Sequence, residues 1–476
     1  MKMFFFRFCL FLTICGLSNI VAGQERPLLY DSISKLVKKA FNTKDPIKIY
    51  ALTSTGYQEK MSTEKFSEGM KKFYLKTGKW NNLLFKEETD GGMAYTAGFE
   101  RESQVLFLQL DEQGKIVRFN FKPVPFVKGT KSNLVPSNNP LASEMDSLME
   151  KLIRPYIQQG HTVGLCIAII SNNKVHHYSY GEVVKGSNKL PDPQNTIFEI
   201  GSVTKTFTSL LLANEVTRKQ MSLKDPINKY LPEFIPKQAY KNTAITLVHL
   251  ANHTSGFPRL PANIFQGDVN PQDPYRHYNA DSVYHFLSIH KPNIIPGSQF
   301  SYSNFGAGLL GNILSRKSHK TFEELLTGKI FEPLKMHSTK IKLNAKDNIQ
   351  FAQGYNEKGE PTMPWDLAAL QGSGAIRSTL NDMIRYVKAQ LGLLNTPLDK
   401  AILLTHQVTF QSKENTIGLG WRIEKQKNHV YWHHSGGTGG FRSFVGFDKK
   451  HLFGVVILSN TAEDVTTIGQ SILESN

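Results

Sequence analysis

The chain has 476 residues, of which 40% are hydrophobic, 11% aromatic and 20% charged. That length suggests about two or three folded domains, and the composition excludes a disordered or low-complexity protein. The formal net charge of +16 comes from scattered Lys and Arg with no basic run of five residues and no nucleic-acid motif. It therefore suits an anionic cell envelope, or simple solubility, better than nucleic acid.

Residues Met1 to Gly23 place Lys2 and Arg7 around an apolar run, Phe8 to Cys15, that ends in Val21-Ala22-Gly23 before Gln24. This reads as a secretory signal, so an exported protein, periplasmic or secreted, is expected. Lipid anchoring at Cys15 is disfavoured by Ile14, which stands where such signals prefer a small residue. No later stretch approaches about 18 uninterrupted apolar residues, so no transmembrane segment is expected after cleavage. Of the three cysteines only Cys166 remains then, inside the apolar run Val163 to Ile170. It reads as a buried strand residue, and no disulfide framework accompanies export.

A small α+β domain is expected over 24–122. Ser32 to Phe41 and Thr63 to Leu75 have helical periodicity. Strands follow in the alternations Met93, Tyr95, Ala97, Phe99 and Leu106, Leu108, Leu110, with a turn at Asp111 to Gly114 leading to Val117, Phe119 and Phe121. The unit is similar to cystatin-like or nuclear-transport-factor-like domains, which implies a structural or dimerising role ahead of ligand binding. Residues 123–140 turn to Pro, Gly, Ser, Asn and Lys, the chemistry of a linker.

The second domain is expected over 141–476. A helix from Glu144 to Gln158 precedes a hairpin, Val163 to Ser171 and Lys174 to Glu182, around Asn172-Asn173. Further strands are expected at Ile417 to Glu424, His429 to His434, Arg442 to Asp448 and Phe453 to Asn460, with a helix from Ala462. Strands at both ends of a mainly helical middle define the fold class: α/β (α+β), one antiparallel sheet completed by the C-terminal segment, flanked by helices and carrying an inserted helical region.

Three ordered motifs carry chemistry. Ser202-Val203-Thr204-Lys205 opens a helical pattern through Phe207, Leu210 and Leu211, which places the lysine one turn from the serine on the same face. Ser-x-x-Lys recurs at Ser32 and Ser171, so setting decides: Ser171 stands in a hairpin and Ser32 in the small domain. Tyr302-Ser303-Asn304 enters a second helix, and its copy at Tyr240 lacks that context. The third motif is His434-Ser435-Gly436-Gly437, in a run without the G-x-G-x-x-G phosphate fingerprint. It reads as a strand edge where backbone approaches a substrate closely. Adjacent His433 points to the other side of a strand, so a two-histidine metal site there is rejected.

This trio resembles the penicillin-recognising serine hydrolases, close to the class C β-lactamase branch, over Leu141 to Asn460. The resemblance implies a β-lactamase/transpeptidase-like fold with Ser202 as nucleophile and Lys205 and Tyr302 as proton carriers, either of which serves as the formal base. It also implies that Asn304 orients substrate, that the amides of Ser202 and Gly437 bind the oxyanion, and that His434, Ser435 and Gly436 line the substrate site, His434 and Ser435 contacting its carboxylate or relaying a proton. Leu250 to Phe257 resembles the family's H-T-S-G loop and Gly372 to Thr379 its glycine-rich stretch, both structural; Ser255 lacks a lysine one turn on. The family's β-lactamases usually have lysine where this chain has His434, which favours a D,D-peptidase, carboxypeptidase or esterase over a β-lactamase. The expected partners are small peptides, esters or β-lactams, with peptidoglycan as a possible source, and no cofactor or metal is implied. A class C-type β-lactamase and a penicillin-binding sensor or wall-binding protein are the alternatives.

Overall fold

The computed structural model describes residues 29–89, 91–99, 103–123, 135–267, 269–426 and 429–475. The expected signal, 1–23, and most of the expected linker lie outside the described residues. The chain divides into two compact units, Met1–Phe126 and Val127–Asn476. No helix among the described residues is long and apolar enough to cross a membrane.

In the first unit a helix over 29–42 and a helix Thr63–Thr77 pack on a four-stranded antiparallel meander, Trp80–Thr89, Gly92–Phe99, Ser103–Leu110 and Ile116–Pro123. Ser62 caps the longer helix by accepting from the Lys65 amide, and Gly78, at φ 74°, ends it. The core is aromatic: Phe41, Phe66, Trp80, Tyr95 and Phe99 are all buried. Two details differ from the sequence expectation. The first strand, Trp80–Thr89, is not foreseen because it is an edge with bulges and a polar run, Lys86-Glu87-Glu88, which hides its alternation. Val117 is 37% exposed, not buried: the register jumps from Gln109↔Arg118 to Leu110↔Ile116, so Val117 is the bulged residue and Ile116 takes the core position.

The second unit is built on an eight-stranded antiparallel sheet. In spatial order its strands are Phe410–Gln411, Thr416–Ile417, Arg422–Gln426, His429–Gly437, Arg442–Asp448, Phe453–Ser459, Gly164–Ser171 and Lys174–Gly181. The two apolar runs near the middle read as continuous rather than alternating because both faces are covered. Cys166, Ala168, Ile170, Val456 and Leu458 face the inserted helical region. Leu165, Ile167, Ile169, Val455 and Ile457 face the helices Glu144–Ile157 and Thr466–Glu474. Burial pushes the Cys166 thiol up to about 12, so it is a packing residue.

The expected strand Ile417 to Glu424 is broken. Gly418 to Trp421 form a turn, with the Gly418 amide donating to the Trp421 carbonyl and Gly420 at φ 74°. The turn sets Leu419 and Trp421 into the core beside the helix that carries the nucleophile. The neighbouring strand with His434 continues to Gly437. The C-terminal helix begins at Thr466 rather than Ala462.

Candidate active site

Ser202 sits in a 3-10 turn, Gly201–Val203, between a short strand Phe198–Glu199 and the helix Thr204–Thr217. The helix is buried from Thr204 to Asn214, so its polar side chains must find partners inside. They do so along the glycine-rich stretch. Thr208 donates to the Gly372 carbonyl at 2.7 Å, Lys205 Nζ to the Ser373 carbonyl at 2.6 Å, and the Ile376 amide to Thr204 Oγ1 at 3.1 Å. Lys205 Nζ also reaches Ser202 Oγ at 2.9 Å. Desolvation lowers the Lys205 pKa from the ordinary lysine value, Arg259 adds to this, and the Tyr302 hydroxyl opposes it.

Tyr302 is positioned by the residue after it. Ser303 caps the helix Asn304–Ser318, accepting from the Gly306 amide at 2.8 Å and donating to the Pro258 carbonyl at 2.7 Å. The Ser303 amide donates to His253 Nδ1 at 3.2 Å, and the His253 ring lies 4.4 Å from the Tyr302 ring. His253 takes a left-handed φ of 61° and is buried. Burial, then the Lys205 charge, holds it neutral, well below the ordinary histidine range. The Lys205 ammonium is 4.9 Å and the Arg259 guanidinium 5.1 Å from the Tyr302 ring centre. The Arg259 side chain is exposed and makes no ion pair or hydrogen bond among the described residues. Asn304 Oδ1 is a buried acceptor without a partner among the described residues, and Asn304 lines a cleft that Ser202 also borders.

The third motif enters from the sheet. Gly436 and Gly437 end their strand against the turn of Ser202. A Cβ on Gly436 would stand 2.0 Å from the Ile200 carbonyl oxygen, and one on Gly201, at φ 49°, 2.6 Å from the Gly437 nitrogen. His434 is buried, its ring 6.3 Å from that of Tyr302. Its Nδ1–H donates to the Ser435 carbonyl at 2.6 Å, which leaves a lone pair on Nε2. Burial, then Lys205, lowers its pKa to about 3. His433 lies on the opposite face, stacked on Phe444.

The sequence trio thus converges. Ser202, Asn304 and Gly437 border one cleft with Leu260, Tyr275 and Trp365, while Lys205, Tyr302 and His434 cluster beside it. A larger cleft of about 920 Å³, lined by Lys229, Arg316 and Glu323 among others, contains none of these groups, so chemistry rather than size identifies the site. The sequence treats Leu250 to Phe257 and Gly372 to Thr379 as structural only, and yet His253 touches Tyr302 and Ser373 accepts from Lys205; Arg259, just beyond the first stretch, also lies over Tyr302. The readable signal was the polar cluster Thr204, Lys205, Thr206, Thr208 and Ser209 at the start of a helix whose next turn, Leu210 to Ala213, is apolar. Behind the nucleophile, Glu199 pairs with Arg377 at 3.1 Å and accepts from the Trp365 amide, which ties the cleft wall to the strand before Ser202.

A serine and a dry lysine in contact, with a tyrosine and a strand edge converging on them inside a sheet-and-helix fold, define a serine hydrolase of the acyl-transfer type. A family model described as Beta-lactamase matches residues 149–470, and the chain belongs to that family. It is 29% identical over 352 residues to a beta-lactamase of Pseudomonas fluorescens, covering 67% of this chain and 94% of that protein. It is 29% identical over 354 residues to a beta-lactamase of Escherichia coli (strain K12), covering 67% and 89%. A solved class C beta-lactamase superposes with a TM-score of 0.62 at 25% identity, covering 71% of this chain and 98% of that one. A beta-lactamase/D-alanine carboxypeptidase from Pseudomonas syringae does so with a TM-score of 0.61 at 26% identity, covering 70% and 98%.

Two outcomes follow from this geometry. Because His434 and His253 are already neutral, kcat/KM should show no ionisation near about pH 6.5. It should instead rise with pH along a limb below the ordinary lysine value, as Lys205 gives up its proton. A limb near 6.5 that disappears in His434→Asn would contradict the assignment. Gly436→Ala should lower stability by about 1–3 kcal/mol through overpacking, read as a shifted urea midpoint, and slow acylation with it.

Proposed function

We propose that this serine hydrolase is exported and acts through an acyl-enzyme on amide or ester bonds of small substrates, as a D,D-peptidase, carboxypeptidase or esterase. The observation that carries the reading is the desolvated Lys205 at 2.9 Å from Ser202 Oγ, next to a neutral His434. Ser202 Oγ attacks the carbonyl carbon while its proton passes into the Lys205–Tyr302 pair. The amides of Ser202 and Gly437 hold the oxyanion, each worth about 3 kcal/mol. Collapse expels the amine or alcohol, which takes the proton back from the pair, and a water repeats the sequence to release the acid. Asn304 Oδ1, buried and unpaired among the described residues, accepts from the substrate's amide N–H.

His434 changes the charge of the site. With its proton on Nδ1 it offers a lone pair, which suits a relay beside Tyr302 and cannot bind a carboxylate. A permanent cation is supplied by Arg259, stacked on Tyr302 and free of acidic partners among the described residues. Arg259, with Ser435, takes the C-terminal carboxylate of a substrate. A class C-type β-lactamase is the second reading, favoured by the names of the relatives at 29% identity.

Incubation with a labelled penicillin, a chromogenic cephalosporin, D-Ala-D-Ala peptides and short aryl esters separates these readings. The expected result is a transient adduct on the peptide containing Ser202, turnover of peptides or esters ahead of the β-lactams, and loss of both in Ser202→Ala. Faster cephalosporin turnover would establish the second reading, and absence of any adduct and any turnover would overturn both. Arg259→Ala should raise KM about tenfold for carboxylate-bearing peptides and leave neutral esters within about twofold. Equal effects on both would remove Arg259 from recognition.

A further inference from the structure

A second cluster lies at the opposite end of the strand that carries His434. Strand pairing sets Tyr431 opposite Asp448, which brings His429, two residues earlier on the same face, diagonally to the aspartate. The turn after Asp448 brings back His451. His429 Nδ1 is 3.0 Å and His451 Nδ1 2.7 Å from the same carboxylate oxygen, Asp448 Oδ2. All three atoms lie within 4.8 Å of one another.

We propose that His429, Asp448 and His451 form a binding site for a divalent transition metal of the zinc type. The donor set, two imidazole nitrogens and one carboxylate oxygen, suits Zn²⁺, Co²⁺ or Ni²⁺ and not Mg²⁺ or Ca²⁺, which require oxygen shells. Metal–ligand bonds of about 2.0–2.2 Å place tetrahedral ligand atoms about 3.3–3.5 Å apart, so small ring rotations fit an ion to this cluster. The carboxylate is already oriented. Asp448 is buried, and its Oδ1 accepts from the Lys450 amide at 2.9 Å and the His451 amide at 3.2 Å, leaving Oδ2 to the two rings. The histidine side chains are 16% and 31% exposed, so an ion can enter and water can complete its shell. Lys449 and Lys450 in the same turn oppose a cation, and the site is accordingly an exchangeable one.

The site is remote from the chemistry. The strand between His429 and Gly437 spans about 25 Å, so an ion here touches no reacting atom. Its effect is to clamp the strand His429–Gly437 to the strand Arg442–Asp448 and to the turn beyond it, at the end away from Ser202. Neither the site nor its test depends on the hydrolase substrate.

The test is competition for Zn²⁺ against a chromophoric chelator, together with thermal melting, on the full chain and on His429→Gln, Asp448→Asn and His451→Gln. The expected result is one equivalent bound, a higher melting temperature with Zn²⁺ but not with Mg²⁺, and affinity at least about tenfold weaker in each variant. No stoichiometric binding, or binding unchanged in all three variants, would reduce the cluster to a hydrogen-bonded His–Asp–His group and overturn the proposal. Should a variant not fold, peptide mapping of diethyl pyrocarbonate labelling on the unaltered protein decides. Protection of His429 and His451 by Zn²⁺ supports the site, and equal labelling with and without Zn²⁺ overturns it.

Discussion

The catalytic centre depends on a backbone-to-backbone contact between the turn that carries Ser202 and the end of the strand that carries His434. Gly436 meets the Ile200 carbonyl and Gly201 meets Gly437 at distances no side chain would permit. The turn is clamped further by Ser443, whose hydroxyl donates to the Ile200 carbonyl at 2.7 Å, and by the Ile200 amide, which donates to the Ile376 carbonyl at 3.0 Å. Sheet and helical region therefore meet at one turn. The position of the nucleophile is an outcome of how the whole sheet registers, since each strand from Phe410 to Gly181 fixes its neighbour.

The second constraint is the dry lysine. An ammonium buried without a carboxylate loses solvation that the hydrogen bonds it donates to Ser202 and Ser373 recover only in part, so the proton on Lys205 is held less firmly than in water. No acid among the described residues pairs with it. The charge is instead met by neutral acceptors and by the face of Tyr302, whose other neighbour is a second cation, Arg259. The Arg259 charge adds to burial in lowering the Lys205 pKa. The two imidazoles beside them, His253 and His434, stay neutral for the same reason. Burial disfavours a third and fourth positive charge, and the lysine field adds to that penalty.

How much of this was legible in the sequence follows from how local each cause is. Ser202 and Lys205 were readable because one helical turn joins them, and Tyr302 to Asn304 because they announce a helix start. The apolar runs at Val163 to Ser171 and Phe453 to Asn460 were readable as strands, and the structure covers them on both faces. Left-handed His253 carries no sequence mark, since its conformation is imposed by the Ser303 amide fifty residues away and by the Tyr302 ring. The edge strand Trp80–Thr89 and the turn at Gly418–Trp421 failed for opposite reasons. Solvent exposure removed the hydrophobic pattern from the first, and packing against a helix forced a break in the pattern of the second. Arg259 carries no sequence mark, because its significance lies in the Tyr302 ring it covers.

The departure at His434 then has a physical reading that goes beyond a missing charge. A lysine at that strand position would place a third cation beside Lys205 and Arg259, and the burial that keeps His434 neutral would resist it. Histidine removes that repulsion and leaves a lone pair where the relatives' chemistry would have a cation. The permanent charge then moves outward to Arg259, at the exposed edge of Tyr302, where solvent screens it and a longer substrate can reach it. On the proposed reading, a cation at the rim and an acceptor at the base suit a substrate whose anionic group lies farther from the scissile bond than in a compact bicyclic lactam, which favours a peptide over a β-lactam.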